Sequence, residues 1–245
     1  MAKMLKGEVG IVPALDIDSH DQLELVVRET SKREGVAGYK LGLTSVMRFG
    51  LKESMRRLRD LTDLPILYDH QKAGPDMPDM ATKYTAMCKD AGVDGLILFP
   101  VAGPTAVDAF VGKAIHAGIV PVVGGEIPVS DYGVSGGGYM LDDVLDRILA
   151  RAVAIKANHF VLPAHDVGKI TRWSRWIAAN VQSSVVLLTG FGALGGSIET
   201  SFVAAEACPR RFAIVGRLIT GAKVPGDAAA RMFEQMQATR ALASR

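Results

Sequence analysis

Eight short, almost uninterrupted apolar runs alternate with eight longer stretches of helical periodicity along the 245 residues of the chain. The runs are apolar nearly throughout, which is typical of strands buried on both faces of a parallel sheet. Eight strands alternating with eight helices in a chain of this length indicate a (β/α)8 TIM barrel, an α/β fold. A doubly wound open sheet is the alternative, and the count favours the barrel. The predicted strands are Ile11–Leu15, Val36–Leu41, Pro65–Tyr68, Gly95–Phe99, Ile119–Val123, His159–Leu162, Ser184–Leu188 and Phe212–Val215.

The clearest helical stretch runs from Leu141 to Val153, where apolar residues recur at i, i+3 and i+4 with aspartates between them. No shift of composition and no Pro/Ser-rich linker divides the chain, so we expect one domain over residues 1–245. The other predicted helices are Asp21–Arg33, Leu51–Leu61, Met80–Ala91, Thr105–Ala117, Lys169–Asn180, Glu199–Ala207 and Asp227–Ala241.

Composition excludes several classes of function. With 28 basic and 26 acidic residues the net charge is +2, too balanced for a nucleic-acid surface. No run approaches the ~18 apolar residues of a membrane span, and Met1–Glu8 lacks the apolar core of a signal peptide. Cys88 and Cys208 stand far apart, in no metal-ligand spacing, and fit a reducing compartment. We therefore expect a cytoplasmic protein without a nucleic-acid or membrane partner.

Charged residues and glycines gather at the predicted strand ends, where barrels carry their chemistry. Asp16 ends the first strand, Lys40 the second, and Asp69 with Lys72 the third. Glycines follow the seventh and eighth strands, together with Arg217. This asymmetry suits one ligand with a polar head group at one end and a phosphate at the other.

The stretch Asp69–Pro78 places Lys72 between two carboxylates, those of Asp69 and Asp76. A nearby opposite charge favours the protonated form of a lysine. Such a lysine is a poor nucleophile and a good proton donor. The alternative is a solvated loop that happens to carry charges.

The segment Gly190–Gly196 has four glycines in seven residues and is followed by a helical pattern. Small residues such as Gly195 and Gly196 let backbone N–H groups approach an anion. Arg217 directly follows Gly216, where its guanidinium can bind a phosphate through two hydrogen bonds. Loops after strands seven and eight are the recurrent phosphate site of barrels. The alternative is a flexible loop and an arginine paired with a surface carboxylate.

Taken in order, these motifs resemble the orotidine 5′-phosphate decarboxylase family, in particular its archaeal-type branch, over essentially the whole chain. No single motif suffices, and their order and their placement at strand ends make the resemblance specific. The motifs are Ala14–Asp16, Gly38–Gly42, Asp69–Pro78, Leu98–Pro100, Gly103-Pro104, Val123–Glu126, Val161–Pro163, Gly190–Gly196 and Ile214–Arg217.

The resemblance implies a (β/α)8 homodimer that decarboxylates orotidine 5′-monophosphate (OMP) to UMP without a metal or an organic cofactor. It implies that Lys72 protonates the carbanion and that Asp76 serves the active site of the partner subunit. Asp16 matches the sugar-contacting aspartate of the family, and Arg217 matches its phosphate-binding arginine. The alternating catalytic tetrad of the family falls on Lys40, Asp69, Lys72 and Asp76.

Three features depart from the family pattern. The Asp-x-x-Lys-x-x-x-Asp spacing is one residue longer on each side, which leaves open whether His70 or Gln71 enters the pocket. In the glycine loop, Leu194 stands where the family carries a phosphate-binding glutamine. After the fifth strand, Pro128 stands where the family has a hydroxyl that contacts the pyrimidine, and Ser130 could replace it only if the loop is displaced.

Alternative functions remain open. A Mg²⁺-dependent synthase or decarboxylase of sugar phosphates belongs to the same superfamily, but Lys40 would occupy or repel its metal. A Schiff-base aldolase needs a lysine of lowered pKa, and flanking carboxylates act in the opposite direction. A non-catalytic or altered-substrate nucleotide-binding homologue is favoured by Leu194 and Pro128. The glycine-rich Ser135–Gly138 is expected to be a plain connection or a mobile lid.

Overall fold

The structure, a computed structural model, describes residues 4–70, 76–192 and 194–243. Eight parallel strands follow one another around a closed barrel, in which β8 pairs with β1. The predicted (β/α)8 fold is therefore confirmed. The strands are β1 (Val9–Leu15), β2 (Tyr39–Gly42), β3 (Ile66–Asp69), β4 (Gly95–Leu98), β5 (Val120–Val123), β6 (His159–Pro163), β7 (Val185–Thr189) and β8 (Arg210–Val215).

Helices separate the strands, and each of the eight predicted helical stretches overlaps one of them. Two further short α-helices, α2 (Leu43–Phe49) and α9 (Arg217–Thr220), follow β2 and β8 and were not predicted. Neither is long enough for an apolar period to be recognised in the sequence. The helices are α1 (His20–Thr30), α2 (Leu43–Phe49), α3 (Leu51–Arg59), α4 (Met80–Asp90), α5 (Pro104–His116), α6 (Val144–Ala154), α7 (Val167–Asn180), α8 (Ile198–Ala204), α9 (Arg217–Thr220) and α10 (Pro225–Ala243).

Side-chain caps fix the point at which three of the loops on the carboxyl face become helix. Ser19, Asp166 and Ser197 each accept a hydrogen bond from a backbone N–H in the first turn of α1, α7 and α8. A cap of this kind contributes about 1 kcal/mol. The loops after β1, β6 and β7 are thereby held at their helical ends.

Apolar side chains pack in two layers, one inside the barrel and one between the barrel and the helices. Successive side chains of a strand point to opposite faces, so the two layers define the orientation of every strand residue. Tyr39 and Leu41 belong to the outer layer, which turns Lys40 inwards. Leu67 belongs to the inner layer, and Asp69 lies two residues further along the same strand.

The remaining features are the state of the two cysteines and the length and apolar character of the helices. Cys88 and Cys208 are both buried free thiols. Among the residues described, none of the helices combines the length and the apolar character that crossing a bilayer requires.

Candidate active site

A cavity of about 400 Å³ opens at the carboxyl end of the barrel. It brings together four of the predicted site residues, Asp16, Lys40, Gly216 and Arg217, which come from β1, β2 and β8 and the segments that follow them. Residues on both sides of the strand-seven loop complete it. The lining residues are Ala14, Asp16, Lys40, Thr189, Gly190, Phe191, Leu194, Ile214, Gly216, Arg217 and Leu218.

Lys40 lies between two carboxylates at the floor of this cavity. Its Nζ donates to both oxygens of Asp16, at 2.9 and 3.1 Å, and to Oδ2 of Asp69 at 3.2 Å. The side chains of Lys40 and Asp69 are 8% and 2% exposed, whereas that of Asp16 is 39% exposed. The group is thus a buried ion pair with a second carboxylate at the solvent side.

The two carboxylates keep Lys40 protonated. Burial by itself would lower the pKa of Lys40, but the charges of Asp69 and Asp16 and their hydrogen bonds outweigh it and raise the pKa above its usual range. Lys40 therefore acts as a fixed positive charge rather than as a base.

The position of Lys40 differs from the prediction, which placed it at the end of the second strand. Strand β2 continues to Gly42, so Lys40 lies two residues before the end of the strand. In the sheet register it is level with Ala14 of β1 and Leu67 of β3. Its long side chain brings the ammonium group up to Asp69, the last residue of β3. The predicted strand ended at Leu41, because Gly42 has no side chain that marks a strand.

Ser45 of α2 holds the loop that carries Asp16, and sequence reasoning missed it. Its fully buried hydroxyl accepts from the Ile17 N–H at 3.2 Å and lies within donating distance of the carbonyls of Leu15, at 2.9 Å, and Ile17, at 2.5 Å. These contacts fix the backbone on either side of Asp16. The short helix α2 therefore positions a site residue of the neighbouring strand.

The loop after β7 is closed by its own backbone. The N–H groups of Gly195 and Gly196 donate to the carbonyls of Gly192 and Gly190, at 2.9 and 3.1 Å. Neither of these two predicted phosphate-binding residues lines the cavity, whereas Leu194 does. Exposed Arg217 begins α9, after the neighbouring strand β8, and also lines the cavity.

The structure describes only the two ends of the segment from Asp69 to Asp76. Lys72 and Gln71 lie outside the described residues. Asp76 is exposed, and its Oδ1 accepts from the Met77 N–H at 2.7 Å. It does not line the cavity of this chain. His70 also does not line it, since its ring contacts Tyr68 and Tyr84.

A second, polar cavity of about 180 Å³ lies beside the first, above β5 and β6. Its centre is the buried carboxylate of Glu126, which accepts from Nζ of Lys169 at 2.8 Å and lies 3.9 Å from Nε2 of His165. Ser130 lines this second cavity and is not brought to the first. Pro128 instead packs towards the first glycine of the strand-seven loop, 3.1 Å from a Cβ built on Gly190.

The glycine-rich segment after β5 is a compact turn rather than an open loop. A Cβ on Gly136 would lie 2.0 Å from the carbonyl oxygen of Ser130, and one on Gly138 would lie 2.0 Å from that of Asp131. The N–H groups of Gly136 and Gly138 both donate to the carbonyl of Gly133. The glycines therefore permit a close backbone crossing that forms one wall of the second cavity.

Comparison with known proteins points to one family. A model of the "Orotidine 5'-phosphate decarboxylase / HUMPS family" matches residues 10–232. An orotidine 5′-phosphate decarboxylase of Pyrococcus furiosus is 25% identical over 229 residues, which cover 93% of this chain and 97% of that protein. One from Methanosarcina mazei is 26% identical over 228 residues, covering 93% and 95%.

Solved structures with the same fold carry the same name. An orotidine 5′-monophosphate decarboxylase of Methanocaldococcus jannaschii, crystallised with the inhibitor BMP, superposes with a TM-score of 0.77 at 21% identity, covering 94% of this chain and 99% of that one. A Sulfolobus solfataricus protein of the same name has a TM-score of 0.74 at 17% identity, covering 96% and 100%. These likenesses establish the fold of the barrel.

Proposed function

Because this chain belongs to the orotidine 5′-phosphate decarboxylase / HUMPS family, we propose that it decarboxylates OMP to UMP. The observation that supports this most is the buried ammonium of Lys40 held between Asp16 and Asp69, on the floor of a cavity that has Arg217 at its rim. The cation of Lys40, the carboxylate of Asp16 and the guanidinium of Arg217 then line one ligand-sized space.

The phosphate of OMP binds at the Arg217 side in this proposal. A guanidinium can bind a phosphate through two parallel charged hydrogen bonds. The N–H groups of Gly195 and Gly196 now donate within their own loop, so they reach the phosphate only if that loop opens. Binding energy from this remote group then serves to close the site around the ring.

The reaction takes place at the opposite side, next to Asp69. The carboxylate of the substrate lies against that of Asp69, and the repulsion between them falls as one charge leaves in CO₂. When the bond to CO₂ breaks, its electron pair stays on the ring carbon. The ammonium of Lys72 stabilises this carbanion and then transfers a proton to the same carbon.

Lys40 and Asp16 support these groups. Lys40 neutralises part of the charge of Asp69 and holds its orientation through the 3.2 Å hydrogen bond. Asp16, the more exposed carboxylate, keeps acceptor capacity towards the cavity, where it can bind sugar hydroxyls. We assign Asp16 and Arg217 to substrate binding and Lys40, Asp69 and Lys72 to catalysis.

Asp76 of the partner subunit completes the site of a homodimer in this proposal. The exposure of Asp76 in this chain supports the assignment, as do the exposed apolar side chains beside it, Met77 and Met80. An exposed apolar patch is typical of an interface. Mixing a Lys72→Ala chain with an Asp76→Ala chain tests it, because hybrid dimers regain one intact site. Failure to regain any activity would argue for self-contained sites.

A Mg²⁺-dependent reaction on sugar phosphates fits the described part of the site less well. The ammonium of Lys40 occupies the position between Asp16 and Asp69 that a divalent cation would need. Leu194 and Pro128, in contrast, favour a second candidate, a homologue that binds nucleotides but has altered recognition of the base.

One assay separates these functions. The purified protein is incubated with OMP, and loss of the orotate absorbance is followed with and without EDTA. Turnover that EDTA does not affect supports the decarboxylase, and Lys72→Ala should then abolish turnover while UMP still binds. Binding of UMP without turnover supports the nucleotide-binding homologue. Metal-dependent activity confined to sugar phosphates would contradict both.

A further inference from the structure

Strand β3 pairs with its two neighbouring strands over different lengths. On the β2 side, pairing continues to its last residue, with Gly42 opposite Asp69. On the β4 side, pairing ends one residue earlier, with Tyr68 opposite Leu96. Asp69 is the last residue of β3, and its carboxylate faces Lys40.

His70 provides a hold on the outer side. Side chains alternate along the strand, so Tyr68 faces the helices while the side chain of Asp69 faces inwards. His70 is exposed, follows the strand directly and lies on the same side as Tyr68. The hydroxyl of Tyr68 is hydrogen-bonded to Nδ1 of His70. Burial raises the pKa of Tyr68, so its hydroxyl keeps its proton and can donate to Nδ1. When Tyr68 donates, Nδ1 of His70 is the acceptor.

The same imidazole is tied to the helix layer. Its ring meets that of Tyr84 on α4 at 6.4 Å between centroids, edge to face, and Tyr84 in turn meets Phe110 on α5 at 6.0 Å. The centroids of His70 and Tyr68 are 5.6 Å apart. His70, Tyr84 and Phe110 thus connect the chain just after β3 to helices α4 and α5 outside the barrel.

We propose that His70 is a positioning residue, which by accepting from Tyr68 holds the end of β3 so that Asp69 faces Lys40. His70 is also the first residue of the lengthened Asp-x-x-Lys spacing, so it sets the point from which the chain continues to Lys72. The extra residue that departs from the family pattern then has a structural use. The effect on turnover rests on the proposed decarboxylase function.

Three substitutions of His70 separate the hydrogen bond from the ring contact. His70→Ala removes both, His70→Phe keeps an aromatic ring without an acceptor, and His70→Asn keeps an acceptor at the δ position. A misplacement of about 1 Å in a catalytic group costs roughly 100-fold in rate. We expect His70→Ala and His70→Phe to lower kcat by about 10- to 100-fold with little change of KM, and His70→Asn to restore most of it.

Tyr68→Phe removes the donor and should match His70→Phe, and the double variant should be no worse than either one. Tyr139→Phe and His116→Ala, at exposed positions, serve as matched controls and should keep wild-type kcat. Wild-type kcat in His70→Ala overturns the proposal. So does a His70→Asn variant as impaired as His70→Ala, or rescue by His70→Phe.

A second measurement does not depend on turnover. In ¹⁵N spectra of imidazole groups, Nδ1 of His70 should have the shift of a hydrogen-bonded acceptor and should move in Tyr68→Phe. An unchanged Nδ1 resonance in that variant overturns the proposed hydrogen bond between Tyr68 and His70 even if OMP is decarboxylated. If the wild-type protein does not turn over OMP but the resonance moves, the proposed function fails and the hydrogen bond is supported.

Discussion

The carboxylate of Asp16 occupies the space that a side chain at Gly42 would fill. A Cβ built on Gly42 would lie 1.6 Å from Oδ1 of Asp16. The same carboxylate accepts two hydrogen bonds from Lys40. The bare backbone at the end of β2 is therefore what lets Asp16 fold over the strand and reach the lysine.

Gly42→Ala should consequently damage the site more than the fold. The methyl group forces Asp16 away from Lys40, and overpacking of this kind costs about 1–3 kcal/mol. We expect UMP to bind at least about tenfold more weakly, equivalent to ~1.4 kcal/mol, measured by calorimetry beside a thermal melt.

Gly112→Ala is the matched control for this substitution. Gly112 lies inside α5, and no neighbouring atom lies within 4 Å of the position that its added methyl group would take. Alanine there should stabilise the helix by about 0.5–1 kcal/mol and leave UMP affinity unchanged. Wild-type affinity in Gly42→Ala would show that the Asp16–Lys40 contact does not contribute to binding.

Lys40→Met removes the cation of a buried ion pair. Breaking such a pair by deleting one partner costs about 3–5 kcal/mol, because the other charge stays buried. We expect the free energy of unfolding in urea at pH 7 to fall by roughly this amount. Lys52→Met is the control, since Lys52 and Asp90 form an ion pair with both side chains over 70% exposed and should contribute little. Equal effects of the two substitutions would contradict the structural assignment.

The difference in free energy of unfolding between the wild type and Lys40→Met should depend on pH in a definite direction. The pKa of Lys40 is raised in the folded protein, above the value of about 10.4 for an unfolded lysine. The unfolded state therefore loses its proton first as pH rises. The stability from Lys40 is fully present below about pH 10 and is lost as pH rises through the folded pKa. Unfolding of wild type and Lys40→Met from pH 7 to 11 should give a difference that is constant and then shrinks. A difference that grows as pH rises towards about 10 would mean a lowered pKa.

The sequence was sufficient for the barrel because its signals are local. Each strand is an apolar run, and eight such runs with helical periods between them leave few alternatives. The same reasoning placed Asp16, Lys40 and Arg217 at one face, where the cavity brings them together. Strand ends were less well predicted, since Gly42 extends β2 without any apolar signal.

Contacts made across the chain could not be predicted in this way. The pairing of Glu126 with Lys169 joins residues 43 positions apart, and nothing in either local pattern indicates it. Gly195 and Gly196 resemble phosphate-binding residues by composition, but their N–H groups close their own loop. Ser130 follows the right strand, yet the compact glycine turn places it in the second cavity.

Leu194→Gln should strengthen nucleotide binding. Leu194 lines the cavity and is 45% exposed, so a polar side chain there costs little stability. Its amide can donate to the phosphate, and a hydrogen bond to a charged group contributes about 1.5–3 kcal/mol. We expect about tenfold tighter binding of UMP and unchanged binding of uridine. Leu25→Gln, at an exposed position on α1, is the control. Tighter binding of uridine as well would indicate that residue 194 contacts the nucleoside rather than the phosphate.

Lys169→Met tests the ion pair of the second cavity. The side chain of Glu126 is 7% exposed and that of Lys169 is 35% exposed, so loss of the lysine leaves a nearly buried carboxylate without its hydrogen-bonded ammonium. A buried group that loses its partner costs about 1–3 kcal/mol. We expect the free energy of unfolding to fall by this amount, and Glu126→Gln in the same chain to restore part of it. The double-mutant cycle then yields a coupling energy for the pair. If the two substitutions were simply additive, the carboxylate and the ammonium would be independent, and the 2.8 Å contact would not stabilise the loop between β5 and α6.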